Sequence, residues 1–256
     1  MGNIEKAFEK HTALITFITA GDPALAQTEK LIFVLEKAGA DIIELGIPFS
    51  DPLADGPVIQ ASHLRALKKN VTLDQVFKLV AKVRKKSQIP LCFMLSYNLV
   101  LQYGTDKFYT DAEKHGVNGI IIPDLPPEEL GDWSRESGVA NIFLVAPTSS
   151  DRRIKLVADS SSGFIYLIST TGITGKRTKL AQNMQETIGR IKSYTKLPVA
   201  VGFGITTPAQ AAEVSQIADG VIVGSAIVNL VGKKKYAAVA KLVAAMRKAM
   251  DKGVQK

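Results

Sequence analysis

Three carboxylates lie within one short stretch of the sequence, ELGIPFSDPLADGPVI at residues 44–59. Glu44 ends an apolar run, where burial would raise the pKa of its carboxyl and let it act as a general acid and base. Asp55 lies on a proline-stiffened segment that can fold back over Glu44, and carboxylates in different environments can divide acid and base roles. Asp51, beside a proline, either caps a turn or faces a partner. We predict proton transfer by Glu44 and Asp55, with a salt bridge to a lysine as the alternative for Glu44.

Other catalytic chemistries have little support in the sequence. The three histidines, His11, His63 and His115, are not at ligand spacing from one another and none ends an apolar run, so we expect surface or hydrogen-bonded residues and no metal site. The apolar runs contain no lysine, which argues against a Schiff base and favours acid–base chemistry. The single cysteine, Cys92, excludes an internal disulfide and lies in IPLCFML, where a buried hydrophobic role is expected.

The elements that must position these residues alternate along the chain. Eight apolar, β-branched-rich runs are nearly continuous and not alternating, as expected of parallel strands covered by helices. They are ALITFIT (13–19), ADIIEL (40–45), IPLCFML (89–95), NGIII (118–122), NIFLV (141–145), FIYLI (164–168), PVAVG (198–202) and DGVIVG (219–224). Between them, helical patterns cover 24–40, 72–86 and 207–218, and the last two open with the capping threonines Thr72 and Thr207.

This rhythm predicts an α/β fold, a (βα)8 TIM barrel formed by one domain over residues 1–256. An open doubly wound sheet is the alternative, but TAGDP (19–23), after the first run, lacks the glycine-rich dinucleotide pattern. The opening MGNIEKAFEK is predicted to form an extra N-terminal helix that closes the barrel floor.

Charge and hydropathy limit the possible partners. The net charge of +8 and a pI near 9.4 come from scattered lysines plus KKK at 233–235, without the aromatic and basic interleaving of nucleic-acid binders, so no nucleic acid is expected. The positive field favours a small anionic substrate. No run approaches the about 18 apolar residues of a membrane span, and the start lacks a signal-peptide core. We expect a cytoplasmic protein without membrane contact.

In such a barrel the chemistry lies where the strands end and in the loops that follow. GFGITTP brings Gly202 and Gly204 to the seventh strand end, and VGSAIV brings Gly224 and Ser225 to the eighth, each just before a helix start. Helix starts offer exposed N–H groups and a favourable dipole to an anion. GITG (172–175) is predicted as a flexible third contributor and lid. The loops therefore predict a phosphate site.

The same motifs carry a family resemblance. ELGIPFSDPLADGPVIQ, FITAGDP, IIIPDLPPEE, GITG, VGFGI and VGSAIV, in this order, resemble the tryptophan synthase alpha subunit family over nearly the whole chain. The resemblance implies a lyase of tryptophan biosynthesis that cleaves indole-3-glycerol phosphate into indole and D-glyceraldehyde 3-phosphate. It also implies an αββα heterotetramer with a beta subunit that carries pyridoxal phosphate, and no cofactor in this chain.

The resemblance also assigns roles to residues. Glu44 and Asp55 match the catalytic pair, and Asp51 matches an acidic residue that communicates with the partner. The matching phosphate-binding positions are Gly175, Gly202, Gly204, Gly224 and Ser225. The matching positions of the indole pocket and lid are Phe17, Met94, Tyr166, Thr174 and Phe203.

Departures and alternatives remain. Many relatives follow the third strand with a tyrosine-containing stretch, whereas this chain has FMLSYN, with Ser96 before Tyr97, and Thr170 and Thr171 precede GITG. A different phosphate-sugar barrel enzyme is one alternative, although indole-glycerol-phosphate synthase would carry strand-end lysines. A weakly active allosteric subunit and a free-standing indole-releasing lyase are the others.

Overall fold

The apolar runs form one parallel sheet that curls into a nearly closed barrel in the computed structural model. The structure describes residues 4–52, 55–131, 137–168, 177–202 and 204–253. Helices surround the sheet, as the predicted (βα)8 barrel requires. No helix within these ranges is both long and apolar enough to cross a membrane.

Within the described ranges, the sheet has nine strands in the order β5-β4-β3-β2-β1-β9-β8-β7-β6, and every pair is parallel. The strands are β1 (Ala13–Thr19), β2 (Ile42–Gly46), β3 (Leu91–Met94), β4 (Gly119–Ile121), β5 (Ala140–Ile142), β6 (Leu144–Val145), β7 (Ile165–Ile168), β8 (Val199–Gly202) and β9 (Gly220–Val223). All eight predicted runs contain strand, and the run at 141–145 supplies two.

That division occurs at Phe143. The chain before it pairs with β4 and the chain after it pairs with β7, while the Phe143 carbonyl accepts a hydrogen bond from the Tyr166 N–H at 3.0 Å. The two ends of the nine-stranded order are therefore consecutive pieces of one extended segment. This segment brings the sheet back to itself and accounts for the difference between eight runs and nine strands.

The helices follow most of the strands. They are the 3-10 helices Ile4–Phe8 and Pro127–Glu129, with α1 (Leu25–Lys37), α2 (Pro57–Leu67), α3 (Leu73–Arg84), α4 (Tyr97–Tyr103), α5 (Thr105–His115), α6 (Asp151–Ser160), α7 (Arg177–Lys192), α8 (Pro208–Val214), α9 (Ser225–Gly232) and α10 (Tyr236–Gly253). Thr72 and Thr207 cap α3 and α8 as predicted, each in a capping box with the glutamine three positions later. Helix α8 is shorter than its predicted range.

Two apolar layers hold the barrel together. The larger layer lies between the sheet and the helices, and the smaller fills the barrel interior. The interior layer consists of Ile4, Ala13, Ile15, Ile42, Cys92, Ile121, Ile142, Phe164, Tyr166, Ala200 and Ile222. Cys92 is fully buried there, as predicted for a small hydrophobic residue.

The barrel floor is closed by the segment before β1. Ile4 is buried in the interior layer, and the ring of Phe8 lies 5.6 Å from that of Phe164, centroid to centroid. The predicted N-terminal helix is therefore a five-residue 3-10 helix, Ile4–Phe8, within the described residues. Its three apolar side chains are Ile4, which belongs to the interior layer, and Ala7 and Phe8, which pack against that layer.

Candidate active site

Glu44 lies in the middle of β2 and points into the barrel mouth. Side chains alternate along a strand, so Ile42 and Glu44 share the interior face while Ile43 and Leu45 face the helices. Glu44 has no exposed surface, and neither carboxyl oxygen has a hydrogen-bond partner among the described residues. Burial raises the pKa of Glu44 to about 8. The carboxyl is therefore protonated at neutral pH, and the predicted alternative, a salt bridge to lysine, is not found within the described chain.

A cavity of about 320 Å³ lies over Glu44 at the carboxyl ends of the strands. It brings together most of the predicted site residues. Its lining consists of Phe17, Glu44, Asp55, Gly56, Pro57, Val58, Ile59, Met94, Tyr166, Gly204, Ile205, Ile222, Gly224 and Ser225. The apolar residues of the lining from α2 and from the loop after β8 were not predicted. Their positions in the sequence do not reveal which surface they cover.

Asp55 lies on the loop between β2 and α2 and borders the same cavity. Its N–H donates to the Pro52 carbonyl at 3.1 Å, and its own carbonyl accepts from Gln60 Nε2 at 2.8 Å. One carboxylate oxygen, Oδ2, lies 3.3 Å from Nε2 of His63. The structure therefore places both predicted carboxylates at one cavity, in a buried and a partly exposed position respectively.

His63 is a residue whose place the sequence argument missed. Of the two predicted alternatives, a surface or a hydrogen-bonded residue, the second is confirmed, because Nδ1 accepts from the Phe49 N–H at 3.1 Å. Its burial, with 5% exposed, and its position beside Asp55 were not predicted. One sequence signal could have indicated this position. Pro57 favours a helix start two residues after Asp55, and His63 then lies in the second turn of that helix, close to the loop that carries Asp55.

Tyr166 forms the wall of the cavity above β8. A Cβ atom on Gly202 would overlap the Tyr166 ring and hydroxyl, so only glycine allows this approach. Burial raises the pKa of Tyr166 well above its usual value, and the neighbouring carboxylates of Glu44 and Asp55 raise it further. Tyr166 is therefore a neutral phenol between the two predicted catalytic residues, and Gly202 supports it from below without lining the cavity.

At the end of β9, two strands from β2 in the sheet, the cavity is bordered by a helix start. Gly224 is the N-cap of α9, Ser225 is its first residue, and both line the cavity together with Gly204. The first N–H groups of a helix lack intrahelical acceptors, so they can receive an anion. Gly204 has φ +79, a left-handed conformation that favours glycine in this turn. Three predicted residues, Thr174, Gly175 and Phe203, lie outside the described residues.

A second cavity of about 220 Å³ adjoins the first and shares Phe17, Asp55 and Met94 with it. Asp51 is exposed and lines this second cavity. Ser96, which follows β3 and caps α4, donates from Oγ to Asp124 Oδ2 at 2.6 Å. Both residues line the second cavity together with Asp51 and Asp55, so this space is lined by three carboxylates.

Within the part of the chain that the structure describes, no group of three or more histidine, cysteine, aspartate or glutamate side chains is arranged to hold a metal ion.

A parallel barrel whose mouth holds a buried proton donor, a second carboxylate and a helix start belongs to the class of barrel enzymes that act on small anions by acid–base chemistry. Comparison with known proteins defines the family. The model of the family described as tryptophan synthase alpha chain matches residues 4–255, and the chain belongs to this family.

Individual relatives agree with this assignment. The tryptophan synthase alpha chain of Geotalea daltonii is 48% identical in an alignment of 259 residues, gaps included, that covers 96% of this chain and 98% of the relative. Tryptophan synthase subunit alpha from Legionella pneumophila str. Paris superposes with a TM-score of 0.89 at 37% identity, covering 98% of this chain and 99% of that one. A chain from the tryptophan synthase a2b2 complex of Pyrococcus furiosus gives 0.85 at 38% identity, covering 93% and 98% respectively.

Proposed function

We propose that this chain is a lyase that cleaves indole-3-glycerol phosphate into indole and D-glyceraldehyde 3-phosphate and passes the indole to a beta subunit for tryptophan synthesis. The observation that carries the proposal is the buried, protonated carboxyl of Glu44, which lies at one cavity with Asp55 and the start of α9. Family membership supplies the reaction, and the cavity supplies groups suited to each of its steps.

Glu44 is proposed to move the protons at carbon. The reaction is a retro-aldol cleavage, and indole C3 must be protonated before its bond to the glycerol chain breaks. A carboxyl whose pKa is about 8 holds that proton at neutral pH and can deliver it. The resulting Glu44 carboxylate then takes the proton of the C3′ hydroxyl as the C–C bond breaks and the aldehyde forms. The electron pair of the broken bond returns to the ring, which leaves as indole.

Asp55 is proposed to act at the ring nitrogen. Protonation of C3 places positive charge on the indole N–H, and an ionised carboxylate can accept a hydrogen bond from it and stabilise that charge. Asp55 is partly exposed, with 22% of its side chain accessible, whereas Glu44 is fully buried. This difference in environment supports the division of roles between the two carboxylates.

The remaining cavity residues are proposed to hold the two ends of the substrate. Phe17, Met94 and Tyr166 offer apolar walls for the indole ring, with Phe203 assigned there by the family resemblance. The start of α9 supports phosphate binding by Gly204, Gly224 and Ser225. The family resemblance adds Gly175 and Gly202 to the phosphate site and Thr174 to the lid.

The proposed partner is a beta subunit that carries pyridoxal phosphate, in an αββα assembly, and this chain is proposed to hold no cofactor of its own. Solved relatives described as parts of a2b2 complexes support the assembly. Asp51, exposed beside the second cavity, is proposed to communicate with the partner. The single domain over residues 1–256 and the cytoplasmic location are part of the same proposal.

Indole release from indole-3-glycerol phosphate by the purified chain tests the proposal, with and without a tryptophan synthase beta subunit. We expect slow release that rises with the partner and falls by about a thousandfold in Glu44→Gln. Release that is fast and unaffected by the partner would replace the proposal with a free-standing lyase. No release in either condition would refute the reaction itself.

A further inference from the structure

We propose that His63 is a positioning residue for the reaction: its Nε2–H holds the Asp55 carboxylate at the mouth of the cavity. This inference rests on the proposed function, because it assigns the histidine a role through the second catalytic carboxylate. It concerns a residue that carries none of the roles described above.

The tautomer of His63 follows from a backbone contact. The N–H of Phe49, on the loop after β2, donates to Nδ1 of His63 at 3.1 Å. An imidazole nitrogen that accepts a hydrogen bond carries no proton, so the proton of the neutral ring is on Nε2. This N–H faces the Asp55 carboxylate, since Nε2 and Oδ2 are 3.3 Å apart.

The Nε2 atom has no better acceptor than Asp55. It is buried and makes no hydrogen bond of good geometry with any described residue. A buried donor without an acceptor is unfavourable, so the ring is stabilised if the carboxylate turns towards it. The separation is at the long end for a hydrogen bond, and a small rotation of the Asp55 side chain would shorten it.

Asp55 needs such a contact because its backbone does not orient the carboxylate. Its described hydrogen bonds involve the main chain, through the Pro52 carbonyl and the Gln60 amide. Among the described residues, the only ion-pair contact of the carboxylate is His63. The histidine is therefore the group that can select one orientation of the carboxylate.

Helix α2 gives His63 a fixed base. The neighbouring Ser62 shares a hydrogen bond of 2.5 Å with Thr19 at the end of β1. Two positions after His63, Arg65 donates to both carboxylate oxygens of the buried Asp22 at 2.8 and 2.7 Å. These contacts fasten the second turn of α2 to the barrel and so hold the His63 ring in place beside Asp55.

Two substitutions separate positioning from simple support of the loop. His63→Asn keeps an acceptor near the position of Nδ1 for Phe49 but removes the donor that faces Asp55. His63→Gln extends an amide to the position of Nε2 but removes the acceptor for Phe49. We expect His63→Asn to lower kcat about ten- to a hundredfold with KM changed less than about twofold, and His63→Gln to recover most of kcat.

The matched control is a histidine–aspartate pair at the other end of the barrel. His11 Nε2 lies 2.9 Å from Asp41 Oδ1, far along the strands from the cavity, so His11→Asn should leave kcat unchanged. Equal kcat for wild type and folded His63→Asn would overturn the inference. A lower kcat for His63→Gln than for His63→Asn would also overturn it, because loop support through Phe49 would then be the role of the ring.

A second readout does not depend on activity. The ring nitrogen NMR signals of His63 should report the Nε2–H tautomer, and Asp55→Asn should shift the Nε2–H signal while the signals of His11 stay unchanged. A proton on Nδ1, or no response to Asp55→Asn, would overturn the inference. If the wild-type chain releases no indole, the proposed reaction fails while this measurement still decides whether His63 contacts Asp55.

Discussion

The two ends of the barrel treat their carboxylates in opposite ways. At the floor, just before β2, Asp41 accepts hydrogen bonds from the Leu14 N–H at 2.7 Å, from His11 Nε2 at 2.9 Å and from Arg247 Nη1 at 3.2 Å. Three positions later in the sequence, Glu44 is fully buried without a hydrogen-bond partner among the described residues. At the floor, the negative charge of Asp41 is compensated by hydrogen-bond donors, whereas at the mouth the carboxyl of Glu44 stays protonated.

This difference separates stability from function. A buried carboxyl without hydrogen-bond partners lowers the free energy of unfolding by about 1–3 kcal/mol, and such groups cluster at functional sites. The interactions of Asp41 tie the segment before β1, the start of β1 and α10 together, which stabilises the floor. The cost at Glu44 is the condition for the proton transfer proposed for this residue. The comparison therefore predicts that replacing Asp41 at the floor lowers stability without changing activity, and that replacing Asp55 at the mouth lowers activity with little change in stability.

The largest effect expected is on the pH dependence of stability. The pKa of Glu44 is raised from 4.5 to about 8 on folding, so between these values the unfolded chain releases a proton that the folded chain keeps. The stabilisation of the folded chain by Glu44, relative to Glu44→Gln, should therefore be complete below pH 4.5. It should be lost as pH rises to about 8, by about 5 kcal/mol in total. Urea unfolding of both chains between pH 4 and 9 measures this difference. Parallel pH profiles would show that Glu44 is not held protonated.

Asp55→Asn tests the second carboxylate of the mouth. An amide cannot supply the negative charge opposite the ring nitrogen, so we expect kcat for indole release to fall about a hundredfold. The free energy of unfolding should change little, because the side chain is partly exposed and its backbone contacts remain. Steady-state kinetics with urea unfolding of the same preparation measures both. A loss of stability that explains the loss of activity would contradict the proposed role.

Asp41→Asn tests the floor, where we expect a change in stability and none in activity. Losing hydrogen bonds to a charged acceptor should lower the free energy of unfolding by about 2 kcal/mol, while kcat of the folded protein stays the same. The control is Asp159→Asn, which removes an exposed pair with Lys155 on α6 and should change stability by less than about 0.5 kcal/mol. A drop in kcat for folded Asp41→Asn would mean that the two ends of the barrel are coupled.

Gly202→Ala gives the smallest expected effect and tests the wall of the mouth. The added methyl group would overlap Tyr166, so the ring must move at a cost of about 1 kcal/mol. Gly189→Ala is the control, for which stability should rise instead of fall. Gly189 lies in α7 with open space around the position of an added Cβ, and alanine favours a helix over glycine. Thermal unfolding of both variants measures the contrast. Equal shifts would show that Tyr166 is not packed against Gly202.

Much of the fold could be predicted because the signals are local. The run ALITFIT became β1 (Ala13–Thr19) without change, since every residue of it is buried. Thr72 caps α3 as predicted, because the capping interaction joins residues three positions apart. The break at Phe143 could not be predicted, because it depends on strand pairing with β4 on one side and β7 on the other.

The candidate site divides in the same way. Glu44 and Asp55 were identified from residue type, strand-end position and family motif, and the structure places them at one cavity. Thr174, Gly175 and Phe203 stay predictions outside the described residues. His63 was missed because its neighbours in space, Phe49 and Asp55, lie on a loop whose path the sequence does not reveal.

Sequence alone determined the alternation of strand and helix, the order of the loops around the barrel mouth, the family and the identity of the two carboxylates. These follow from residue type and spacing along the chain, which hydrophobic periodicity and motif order record directly. Only the tertiary structure decided that Glu44 keeps its proton, that Tyr166 lies over Gly202 and that His63 faces Asp55. Each of these depends on burial and distance between separate elements, and burial is a property of the packed barrel.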